Sequence, residues 1–137
     1  MKYKIILKAV ILCCFIVLTS CSSDDDAMVA EDASSIVNKW YYDSNEVTAD
    51  IYFNSNGIHL QRIEALGMTF ESTGDWSWID ESTGLMKIDN LTGQVQLVSE
   101  IWFRFTNITE NSFTLEQSTN GEDFFPAVNY QDTDPNG

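Results

Sequence analysis

The chain reads as an all-β protein, an antiparallel up-and-down barrel of about eight strands behind a short leader. Three observations predict it. Short runs of β-branched and aromatic residues recur from Ile36 onward, clusters of Asn, Asp, Gly, Ser and Thr separate them, and no segment carries a strong amphipathic helical period. Short strands at regular spacing with turn signals between them suit a sandwich or barrel, and eight antiparallel strands close without leaving an exposed edge.

The first strand lies around Trp40-Tyr41-Tyr42. Val47, Ala49, Ile51 and Phe53 then alternate with Thr48, Asp50 and Tyr52 and stop at Asn54-Ser55-Asn56-Gly57, a strand running into a hairpin turn. Residues 58–66 form the partner. A slip of phase is expected near Gln61-Arg62, because Leu60 and Ile63 cannot both face inward without a bulge. If the phase holds instead, Arg62 points to the core side. His59, between Ile58 and Leu60, is expected to face outward.

Residues 68–70 and 74–78 supply the next strand or strands, with Trp76 and Trp78 sharing a face. A turn at Asp80-Glu81-Ser82-Thr83 leads to a short strand over 84–89. Val95, Leu97, Ser99, Ile101, Phe103 and Phe105 alternate with Gln96, Val98, Glu100, Trp102, Arg104 and Thr106, which predicts one long half-buried strand with Trp102 outward. Phe113, Leu115 and Gln117 alternate next, and residues 124–130 close the set after Thr119-Asn120-Gly121.

The leader has its own logic. Lys2, Lys4 and Lys8 precede an apolar run over residues 9–18, the layout of a secretory signal. A membrane-spanning helix needs roughly 20 apolar residues, and this run is about half that. Leu18-Thr19-Ser20-Cys21 resembles the lipobox of bacterial lipoproteins. That resemblance implies a diacylglyceryl thioether on the Cys21 sulfur, cleavage before Cys21, and palmitate-like chains that anchor the product. One chain holds only marginally at about 0.8 kcal/mol per buried methylene, so the three chains of such an anchor imply permanent membrane attachment.

Ser23-Asp24-Asp25-Asp26 resembles the serine-plus-acidic export signal of some Gram-negative lipoproteins carried to the outer face of the outer membrane. The same residues also suit a solvated linker, since blocks of like charge are commonly unstructured. The expected location is the outer membrane, lipid-anchored, with the cell surface as one orientation. The expected division is a signal peptide over 1–20, an acidic tether over 21–35, a barrel over 36–131 and a disordered tail over 132–137. Cys13 and Cys14 leave with the signal, so Cys21 is the only cysteine retained and no disulfide forms.

All 21 acidic residues lie beyond the signal, against only Lys39, Arg62, Lys87 and Arg104, a formal charge of −17. Binding phosphates requires cations that displace counterions, so nucleic acid is excluded as a partner. The same sign disfavours adsorption to anionic membrane surfaces other than through the lipid. The chain is expected to be a monomer.

Trp40, Phe53-Asn54-Ser55-Asn56-Gly57, Gly74-Asp75-Trp76-Ser77 and Asn111-Ser112-Phe113-Thr114-Leu115 together resemble the small lipocalin-like lipoproteins of Gram-negative bacteria. The likeness covers most of 36–116. It implies a meander barrel with an interior pocket and no catalytic residues. Residues 132–137 depart from it, ending without an evident closing motif.

On this basis Phe53, Phe70, Trp76, Trp78, Ile101 and Phe103 are the candidates to line an interior that holds a small apolar or amphipathic ligand. Core filling is the plainer role for Trp76 and Trp78, since an eight-stranded interior is just wide enough to be packed by its own side chains. The alternative function is a solid barrel that docks a protein or glycan through its outer face near Trp102 and Tyr52. His59 is the single histidine and has no second ligand for a zinc shell or a nucleophile–base pair. Asp132-Thr133-Asp134-Pro135-Asn136-Gly137 begins like a calcium loop but lacks its bidentate Glu. Asn90-Leu91-Thr92 and Asn107-Ile108-Thr109 match glycosylation sequons, which carry little weight in a bacterial lipoprotein. No catalytic constellation, cofactor motif or metal spacing stands out, so no enzyme, cofactor or metal is expected.

Overall fold

A computed structural model describes residues 33–46, 48–94 and 97–137. Eight antiparallel strands follow one another round a closed barrel: β1 Trp40–Asp43, β2 Asp50–Phe53, β3 Ile58–Ala65, β4 Met68–Asp80, β5 Leu85–Gly93, β6 Ile101–Thr106, β7 Ser112–Ser118 and β8 Val128–Gln131. Tyr42 opposite Gln131 and Asp43 opposite Tyr130 join β1 to β8 and complete the ring. No closing motif was needed. The seam is tied by Tyr130, whose hydroxyl donates to the Ala49 carbonyl at 3.0 Å and pairs with the Thr48 hydroxyl at 2.9 Å. Burial pushes the Tyr130 phenol up to about 12, so it remains a donor at any physiological pH.

In this topology the β1–β2, β3–β4, β5–β6 and β7–β8 connections share one end, here called the rim. The other end is plugged. Ile36, in a single 3-10 turn over Ala33–Ile36, and Ile108, between β6 and β7, are both fully buried there against the core. Period-two alternation sends Tyr41, Ile51, Phe53, Met86, Ile88, Phe103, Phe105, Phe113, Leu115 and Tyr130 inward, where they form one continuous cluster.

The aromatic members interlock edge to face. Phe53 meets Phe103 at 88° and Phe105 at 71°, and Phe105 meets Phe113 at 75°. This is the geometry that ring quadrupoles prefer, worth about 0.5–1.5 kcal/mol per pair beyond the area buried.

Three expectations are corrected. His59 faces inward and is fully buried, because it sits directly opposite Phe53 in the β2–β3 register and so shares its face. No phase slip occurs at Gln61-Arg62: β3 pairs without interruption from Ile58–Asp75 to Ala65–Met68, and its apolar Ile58 and Leu60 are the outward residues. Arg62 therefore also points outward, onto Asp50 at 3.1 Å and over the Trp40 ring at 4.6 Å.

The third correction concerns the long strand. β6 begins only at Ile101, and Leu97 is 97% exposed. The cause lies in β5, which pairs with β6 only from Leu85 to Ile88 and then turns at Asn90, whose φ is 52°. Beyond that point the 97–100 segment is tied to β5 by the Leu91 amide donating to the Ser99 carbonyl at 2.9 Å and by the Lys87–Glu100 ion pair at 2.7 Å.

Two irregularities shape β4 and β5. The register shifts once between Thr73 and Asp75 and again between Trp78 and Asp80, the second leaving Ile79 as an extra, exposed residue. Inside the first lies Gly74, where a Cβ would come within 2.7 Å of Ile88 Cγ2 and 2.9 Å of the Asp89 carbonyl oxygen. Bend and glycine are one device. The backbone of β4 approaches β5 so closely there that only hydrogen fits.

Candidate functional site

The residues proposed to line the interior divide by height. Phe53 and Phe103 are fully buried in the cluster, with Trp76, Trp78 and Ile101 half-buried against it. Trp76 donates its indole N–H to the Asn54 carbonyl at 2.8 Å and meets Trp78 at 78°, so the pair makes no flat shared platform. Phe70 stands apart, half-buried and opposite Ile63 toward the rim. The plugged half of the barrel is thus filled by its own rings.

His59 lies in that half. Its ring stacks on Phe53 at 4.9 Å and meets the edge of Phe103 at 5.5 Å, and neither nitrogen makes a well-formed hydrogen bond among the described residues. Burial pulls its pKa down to about 4, opposed only in part by the Tyr52 backbone and the Gln61 side chain. At neutral pH it is an uncharged aromatic ring.

The outer aromatics are capped rather than free. Trp102 carries the Lys87 ammonium 5.0 Å from its ring centre, with Gly121 packed on the indole, and Trp40 leans on Tyr52 at 5.3 Å beneath Arg62. A groove of about 410 Å³ beside Tyr42 gathers Asp43, Glu46, Asp50, Glu64 and Asp134. Two of its carboxylates are already engaged: Asp43 accepts from the Asn45 and Thr48 amides and the Thr48 hydroxyl, and Asp50 binds Arg62. No set of three His, Cys, Asp or Glu able to hold a metal occurs among the described residues.

The rim is different. Of the six large apolar side chains that stand exposed among the described residues, five belong to it: Ile63, Leu66, Met68, Leu97 and Phe125. Leu66 is 96% exposed and forms the β3–β4 turn with Gly67 at positive φ, 56° and 74°. A left-handed leucine is strained by roughly 1 kcal/mol, and Asn or Gly would make that turn more easily.

At the same end of the barrel, a groove of about 270 Å³ opens where the 119–125 segment passes the rim ends of β6 and β7, lined by Ile101, Gln117, Ser118, Thr119, Asn120, Asp123 and Phe125. Ile101 is the one predicted lining residue that reaches it. Sequence reasoning passed over Phe125 and Leu66, whose exposure depends on loop geometry that alternation does not encode.

No known family model, curated protein or solved structure matches the chain.

Proposed function

We propose that this chain is a lipid-anchored lipoprotein of the outer membrane, lipocalin-like in type and non-catalytic, whose barrel binds a small apolar or amphipathic molecule at its rim. The observation that carries the reading is Leu66. It combines a strained backbone with an exposed apolar side chain, and both cost the fold something, so the benefit lies outside the fold. Ile63, Met68, Leu97 and Phe125 are further apolar side chains exposed at the same end of the barrel. The interlocked rings below favour a second reading, a solid module that docks a protein or glycan by that end.

The anchor rests on Cys21, which lies outside the described residues. Cys21→Ser removes the nucleophile that accepts the lipid, and the expected result is a shift from the envelope fraction to the soluble fraction. Binding is tested by titrating N-phenyl-1-naphthylamine, a neutral apolar fluorophore, into the wild type and into a Leu66→Asn, Met68→Thr double variant. Severalfold weaker binding with unchanged thermal stability is expected. Equal binding by the two proteins would remove the rim from consideration.

A further inference from the structure

We propose that the groove between β6, β7 and the 119–125 segment is a binding site for a single neutral sugar ring. This deepens the rim reading and rests on it. The groove combines a ring face, uncommitted planar polar groups, and a size and charge that suit such a ligand.

Phe125 lines the groove with its side chain 69% exposed, although its backbone is fixed by its amide donating to the Gln117 carbonyl at 3.0 Å. An exposed ring on an anchored backbone offers its electron-rich face to the C–H groups of a pyranose. Ile101 supplies the remaining apolar wall.

The polar wall is organised but not exhausted. Asn120 is consumed internally: its Oδ1 accepts from the Ser118 hydroxyl and the Glu122 and Asp123 amides, and its Nδ2 donates to Asp123 Oδ2 at 2.9 Å. These bonds fix Asp123. Its Oδ1 accepts from no described residue, and the Gln117 amide and Thr119 hydroxyl have no side-chain partner among the described residues either. A carboxylate oxygen, an amide and a hydroxyl around an exposed ring can pair with vicinal sugar hydroxyls as both donors and acceptors.

At about 270 Å³ the groove falls just below the ~300–1,000 Å³ usual for drug-sized ligands, so it suits one ring rather than an extended chain. The chain's formal charge of −14 and the Asp123 carboxylate turn away anionic sugars.

The test uses the full chain as the cell processes it, purified in detergent, and follows amide NMR shifts during titration with methyl hexopyranosides. Saturable shifts in 117–125 with a millimolar dissociation constant are expected for at least one glycoside. Phe125→Ala and Gln117→Ala should each weaken it at least tenfold, Phe125→Trp should retain it, and all three should melt like the wild type. Glycoside shifts that persist in Phe125→Ala overturn the site. No saturable glycoside shift, with N-phenyl-1-naphthylamine still bound, overturns the sugar and leaves the rim reading standing. Loss of both overturns both.

Discussion

His59 shows how one side chain sets a pH limit on the fold. Its folded pKa of about 4 lies below the ordinary imidazole value of 6.5, so the unfolded chain binds the extra proton first. Stability is therefore complete above pH 6.5, declines as pH falls, and has lost this contribution by pH 4. The shift corresponds to about 3 kcal/mol. His59→Leu should abolish that dependence. It should also raise stability at pH 7, since two buried nitrogens without well-formed hydrogen bonds disappear, each costing about 1–3 kcal/mol. Urea midpoints of the two proteins at pH 7.5, 5.5 and 4 decide the matter, and because the carboxylates are common to both, their titration cancels in the difference. Parallel curves would sink the claim. A histidine between isoleucine and leucine gives no cue to its direction in sequence, and only the pairing of His59 with Phe53 reveals it.

At the scale of elements, the β4–β5 pair is where the fold tolerates least. Gly74→Ala drives a methyl into Ile88 Cγ2 and the Asp89 carbonyl, neither of which can retreat without moving β5. A cost of about 1–3 kcal/mol is expected, as for other overpacked cores. For a domain of this size that lowers the melting temperature by roughly 4–8 °C per kcal/mol. A melting point within a degree of wild type would show that the register shift relaxes freely.

The strands themselves were largely legible, because Val47 to Phe53, Trp76 with Trp78, and Phe113 to Gln117 alternate cleanly with polar neighbours. Val95 and Gln96 lie outside the described residues, but from Leu97 to Ser99 the alternation misled for a physical reason: pattern describes what a strand would bury, and β5 turns away before it can pair there. The groove and the rim were less legible still, since both arise from loops whose apolar residues look like core in sequence.

For the whole molecule, charge is the dominant fact. Each of Lys39, Arg62, Lys87 and Arg104 already faces a carboxylate, at 3.8, 3.1, 2.8 and 3.6 Å respectively, so the remaining acidic groups repel one another without local relief. Salt shortens the reach of that repulsion from ~30 Å at 0.01 M to ~3 Å at 1 M. The melting temperature should accordingly climb by several degrees over that range, with the protein sedimenting as a monomer throughout. A fall instead would mean that the five ion pairs among the described residues outweigh the repulsion.

The position of the first described turn has one more consequence. Ala33 belongs to the plugged end, whereas Leu66 and Phe125 crown the opposite pole. Eleven residues lie between Cys21 and Ala33, a stretch that spans at most about 40 Å. With the lipid proposed on Cys21, an upright barrel would float mouth-outward like a buoy and fish in the surrounding water instead of grazing the lipid beneath it.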